Sequence, residues 1–226
     1  MTAIISHKRE LGTGVFTPAD IALLLGVPRN KVTRYLRSYW DARFGMAQQG
    51  DTYSWKTEDE TSRVVNFYIL LELYMCFKLQ AAGVTTKRIL KAHERIAHEI
   101  KSQYPFAEKT ILTDGVHILY EFKDLIVNAD GSKQLNLKAI IEDFAKKVSF
   151  SADGFAEAFY PAGRDAGIIV NPHHQFGQPT IEGTNICTEV LYAMYQSGEQ
   201  VETLSFLYDI PQQRILQVVE FYRNAA

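Results

Sequence analysis

Between Arg29 and Arg37 the chain sets four cations, an amide and a hydroxyl into RNKVTRYLR. These are the groups that hold a nucleic-acid duplex. Lys and Arg neutralise phosphates and release counterions, which gives affinity without sequence information. The paired donors of Arg match guanine, and the amide of Asn matches adenine, in the major groove. Arg29, Asn30 and Thr33, near the front of the run, are the expected base readers. Lys31, Arg34 and Arg37 are the expected phosphate contacts, joined further along by Arg43, Gln48 and Gln49.

Such a run works only if a scaffold presents it. Val32, Tyr35, Leu36 and Tyr39 recur at helical spacing on its other side, so a helix beginning near Arg29 turns its cations outward. Upstream, Thr17 suits an N-cap, Pro18 the first helical position and Asp20 the positive end of the dipole. Ile21, Leu24 and Leu25 form an apolar stripe that Gly26-Val27-Pro28 interrupts. Two short helices around a tight turn make a helix-turn-helix, whose second helix enters a major groove. Gly45, Gly50-Asp51 and the alternation from Tyr53 to Trp55 predict a β-hairpin within 44–55, the wing of a winged helix-turn-helix. Thr57-Glu58-Asp59-Glu60 is a capping box expected to open a helix running to about Ala82. That helix is apolar nearly all round and must be buried on more than one side. A second, amphipathic helix is expected from Thr86 to about Ser102, with His93 on its inner stripe as a core histidine.

From Lys109 the period changes to two. Hairpins are expected across Ile111–Thr113 and HILYEF, and across Leu125–Val127 and Gln134–Leu137, followed by a helix over 138–147 and the strand KVSF. This block has no chemical motif and reads as a spacer and β platform. An apolar strand at Gly167–Val170 leads into the loop-rich FGQPTIEGTNI, then into helices Thr188–Gln196, Val201–Tyr208 and Pro211–Arg223. Gln212, Gln213, Arg214 and Gln217 sit where a second helix-turn-helix would read DNA. Only one of them is charged and the block is acidic, so packing or a partner contact is the better expectation.

Other chemistry is not assembled. His173-His174 are adjacent in a turn, with no third ligand at metal-site spacing. There is no phosphate loop, nucleophile elbow, dinucleotide turn or nuclease-type carboxylate cluster, so neither enzymatic activity nor a cofactor is expected. The many aromatics are expected in core or interface.

The 226 residues carry a net charge of only -2. Residues 1–110 hold 16 Lys and Arg against 11 Asp and Glu, and residues 111–226 hold 8 against 15. A basic half for nucleic acid and an acidic half for another partner would explain that split. Cys76 and Cys187 have no CxxC spacing, no signal peptide opens the chain, and the apolar run from Val64 to Leu79 is interrupted and short for a bilayer. A soluble, cytoplasmic protein without membrane partners is expected.

The fold expected is α+β, mainly α: a winged helix-turn-helix over 1–104, a connecting β-hairpin platform over 105–165, and a three-helix, helix-turn-helix-like domain over 166–226. From Phe16 to about Glu99 the sequence resembles the DNA-binding domain of MerR-type regulators, through the helix-turn-helix, the wing ending in TYSW and the pattern LQAAGVTTKRILKAHERI. From Ile168 to Tyr222 it resembles the antitoxin-like DUF433 domain, carried by FGQPTIEGTNI and the helix ending in SGE. The combination is similar to antitoxins of the VapB type. That resemblance implies an operator-binding autorepressor that neutralises a PIN-like ribonuclease toxin; symmetric operators make a homodimer the default. The long dimerisation helix of MerR regulators is not recognisable. The alternative is a stand-alone MerR-like regulator sensing a small molecule through its C-terminal half.

Overall fold

The structure, a computed structural model, describes residues 13–38, 54–56, 63–113 and 137–225. Arg43, Gln48, Gln49, Tyr39 and the strands expected across 117–136 lie outside the described residues. The described chain is mainly helical with small antiparallel sheets, in agreement with an α+β, mainly α class. It forms two compact units, one gathering residues 12–67 with 158–226 and the other built around 68–157.

In the first unit, α1 (Pro18–Leu25) starts on a capping box. The Asp20 amide donates to the Thr17 hydroxyl at 3.2 Å and the Thr17 amide to the Asp20 carboxylate at 2.8 Å, satisfying two orphan donors reciprocally. Gly26, at φ +60°, ends α1 in the left-handed conformation that glycine adopts without a Cβ penalty. Helix α2 (Arg29–Tyr35) follows directly, and the two pack through Ile21, Leu24, Val32 and Tyr35.

Strands β1 (Ser54–Lys56) and β2 (Arg63–Val65) pair antiparallel, Trp55 opposite Val64. Phe16 joins on the far side, exchanging two 2.9 Å backbone hydrogen bonds with Val65. The hairpin expected within 44–55 therefore takes its described partner strand from 63–65. Thr57-Glu58-Asp59-Glu60 lie outside the described residues; within them the expected helix gives way to β2 over Arg63–Val65 and runs as α3 (Phe67–Ala81). The β-branched pair Val64-Val65 suits a strand, and Val65 has neighbours on both edges.

The C-terminal part adds β4 (Ala156–Phe159), β5 (Ile168–Ile169) and β6 (Thr180–Ile181), with Ile168 opposite Ile181 and Phe159 bridged to Val170. Helices α7 (Thr188–Gln196), α8 (Val201–Tyr208) and α9 (Gln212–Ala225) lie within a residue or two of their expected bounds. Helix α9 packs on α7, α8 and also α1, so the helix-turn-helix shares its core with the last segment of the chain.

Gly177 shows how tight that shared core is. Its φ is +85°, and a Cβ there would lie 2.6 Å from Cζ of the fully buried Phe16. Gly177→Ala is expected to lower the stability of this unit by about 3 kcal/mol, from left-handed strain plus overpacking. The check is a urea titration, in which the midpoint falls while the slope holds.

In the second unit, α3 is buried nearly all round, as expected, with Ile69, Leu70, Leu71, Leu73 and Met75 wholly inaccessible. Helix α4 (Thr86–Ile100) is two-faced and buries Ile89, Leu90, Ala92, His93 and Ile96. A 3-10 turn at Pro105–Ala107 leads to α5 (Thr110–Thr113). The strand expected at Ile111–Thr113 is thus one helical turn, closed by the Ile111 amide on the Glu108 carbonyl at 3.1 Å and fixed by burial of Ile111. Helix α6 (Leu137–Lys147) and β3 (Val148–Phe150), which pairs with β4, follow as expected. Tyr74 of α3 stacks on Phe144 of α6 at 5.6 Å. Residues 68–104 thus share a core with 105–157.

Candidate nucleic-acid interface

Helix α2 is the element that sorts the candidate residues. Val32, Tyr35 and Leu36 are buried, whereas Arg29, Asn30, Arg34 and Arg37 are exposed. Lys31 and Thr33 are half-buried. Three- and four-residue spacing puts Asn30, Arg34 and Arg37 on one face. The Thr33 hydroxyl donates to the Arg29 carbonyl at 3.1 Å, a back-bond it would have to give up to contact a base. No acidic residue lies in the first turn of α2. The face can therefore offer planar guanidinium and amide donors to base edges, with cationic charge toward phosphates.

On α9 the four second-site candidates divide. Gln212 and Gln213 are exposed. Arg214 Nη1 donates to the Asp165 carbonyl at 3.0 Å and to Gln217 Oε1 at 3.3 Å, while Gln217 Nε2 donates to the same Asp165 carbonyl at 3.1 Å. Both side chains hold the loop ahead of β5. A Cβ at Gly167, itself at φ +60°, would fall on the Arg214 guanidinium and push it off the Asp165 carbonyl.

The histidine pair is also placed. His173 is exposed, and His174 Nε2 lies 3.2 Å from the Thr184 carbonyl. Among the described residues no three His, Cys, Asp or Glu side chains gather at metal-binding distance, and no helix is long and apolar enough to cross a membrane.

Tyr222 of α9 packs against α7. Its ring stacks on Tyr192 at 4.5 Å and 9°, and its hydroxyl lies 3.1 Å from that of Thr188. Burial pushes the phenol up to about 12, the Thr188 hydrogen bond opposes this, and Glu189, Cys187 and Asp20 add to it. A phenol raised in the folded state contributes stability below its ordinary value near 10 and loses it as pH rises through 10 to 12. Spectrophotometric titration is expected to show the half-buried phenols of Tyr68, Tyr74 and Tyr222 ionising late together with alkaline loss of structure, and Tyr222→Phe should lower the late amplitude by one phenol.

Two features escaped sequence reasoning. Glu72 stood out only as an interruption in an apolar run, yet it is wholly buried and bonded to His93 at 2.8 Å. Gln175 and Phe176 adopt φ +47° and +54°, which no residue type there signals.

The described chain is mainly helical, with α1, a tight turn and α2 packed in one unit with the C-terminal helices. Residues 168–222 match the family described as "Protein of unknown function (DUF433)". A Mycobacterium tuberculosis protein described as "Putative antitoxin VapB45" is 23% identical over 157 residues, covering 64% of this chain and 65% of that protein. The chain thus spans just under two thirds of that relative's length. The crystal structure of Rv2018 from Mycobacterium tuberculosis matches with a TM-score of 0.72 at 19% identity, covering 93% of this chain and 98% of that one, so the fold is shared.

Proposed function

We propose that this chain is an antitoxin of a type II toxin–antitoxin module: a MerR-like winged helix-turn-helix repressor that binds its own operator as a homodimer and neutralises a PIN-like ribonuclease toxin. The observation that carries the DNA part is α2, which buries Val32, Tyr35 and Leu36 and leaves Arg29, Asn30, Arg34 and Arg37 exposed. The toxin part is supported by the DUF433 match and the relative described as an antitoxin. On this reading the chain performs no catalysis; it acts in the cytoplasm by occupying two surfaces.

Docking would proceed from long range to short. Arg34, Arg37 and Lys31 attract phosphates and set the register, after which Arg29 and Asn30 discriminate base edges. Two copies would read half-sites about one helical turn apart. The test is fluorescence anisotropy with duplex from upstream of the gene, against scrambled duplex, across salt. Tighter binding to the natural duplex with a steep salt slope is expected. Equal, weak binding to both would overturn the operator reading. Co-expression with the product of the adjacent reading frame tests the other part, and failure to relieve its toxicity would overturn it.

A further inference from the structure

Helix α8 is held from one side. Leu204 and, just beyond its end, Ile210 are buried; the Ser205 hydroxyl donates to the Ile210 carbonyl at 2.7 Å, and the Tyr208 hydroxyl to the Met194 sulfur at 3.1 Å. Its other side carries Phe206, 87% exposed, beside Leu207, 59% exposed. Glu202 lies one turn before Phe206 and Asp209 three residues after it, both exposed. One apolar residue on a surface calls for no explanation, but two adjacent large ones between carboxylates on an eight-residue helix mark a contact surface.

The charge around this face selects what can cover it. From Cys187 onward the exposed carboxylates are Glu189, Glu199, Glu202, Asp209 and Glu220, and among the described residues none of them forms an ion pair. The segment's two arginines are engaged: Arg214 with the Asp165 carbonyl, Arg223 over the Tyr195 ring and on its hydroxyl. Such a rim repels phosphates, which excludes nucleic acid and an anionic membrane surface. A two-fold contact with a second copy would set the Glu202 and Asp209 rims against each other. What remains is a protein presenting an apolar pocket bordered by Lys and Arg.

The geometry points to the outer face of α8 as the docking site for such a basic-rimmed pocket, with Phe206 as the anchor. This rests on the antitoxin reading, in which that partner is the toxin. Phe206 enters the pocket, Leu207 closes its edge, and Glu202 and Asp209 steer the approach and pair with the rim.

The test uses the full chain and the product of the adjacent reading frame, with affinity and association rate measured by surface plasmon resonance. Phe206→Ser with Leu207→Ser is expected to weaken the complex about 100-fold. Thermal midpoint and operator affinity should stay at wild-type values, because both side chains lie outside the core. Glu202→Lys with Asp209→Lys is expected to slow association and remove most of its salt dependence. A wild-type complex that neither variant disturbs overturns this surface and leaves the antitoxin reading standing. Absence of any wild-type complex overturns both. Self-association lost in the serine variant, or a change in duplex affinity, overturns the choice of partner.

Discussion

Replacing Glu72 with alanine is expected to cost the unit around 68–157 about 3–5 kcal/mol. The reason is how many groups one buried carboxyl serves. Its Oε2 lies 2.8 Å from His93 Nε2, and its Oε1 accepts from the amides of Phe106 at 2.8 Å and Ala107 at 3.2 Å. Glu72 belongs to α3, His93 to α4, and the two amides to the 3-10 turn, so one side chain joins three elements. The His93 ring also meets Phe106 edge-on at 5.3 Å. Alanine leaves three donors facing a void, in a place with no exposure at Glu72 and 2% at His93. A loss of that size is a large share of the roughly 5–15 kcal/mol by which domains are stable. Glu72→Gln should cost less, since its carbonyl can still accept from both amides while its NH2 faces the imidazole. Thermal unfolding followed by far-UV circular dichroism ranks the three proteins; a loss below about 1 kcal/mol for alanine would mean the donors find other acceptors.

Arg34→Ala should give the opposite pattern, with stability within about 0.5 kcal/mol of wild type and operator binding reduced on every sequence alike. Arg34 is exposed and shares its face with Asn30, one turn before it. Losing a phosphate contact removes counterion release, so the slope of log affinity against log salt should fall by about 1. Asn30→Ala is the informative contrast. It should leave the salt slope intact and relax preference for the natural duplex by about 1–3 kcal/mol, the worth of one bidentate base contact. An unchanged gel-shift titration for Arg34→Ala would take α2 out of the DNA-binding surface.

Local signals were legible where neighbours in sequence decide the outcome. The N-cap at Thr17, the end of α1 at Gly26 and the three C-terminal helices follow from side chains within a few residues, and they form as expected. Where distant partners decide, the pattern misled. Val64 and Val65 read as helix until Phe16 and β1 supply the ladder. The charge division along the sequence likewise dissolves in space. Residues 12–67 and 158–226 together hold 10 Lys and Arg against 13 Asp and Glu, so α2 presents its cations from a net acidic unit. Its field is local to the helix face rather than a property of half the chain. For Phe206, one of the aromatics expected in core or interface, helical spacing could not choose; burial of Leu204 and exposure of Phe206 place it outside the core.

The packing of α1 against α9 also sets an order of events during synthesis. Elongation at about 5–20 residues per second gives residues 12–67 an interval on the order of 5–20 s before 158–226 emerge, while the whole of 68–157 is made in between. During that interval α1 and α2 exist without the helix that completes their core. On the proposed reading, a chain shortened before α9 keeps every cation of α2 but lacks the helix that completes the core behind it.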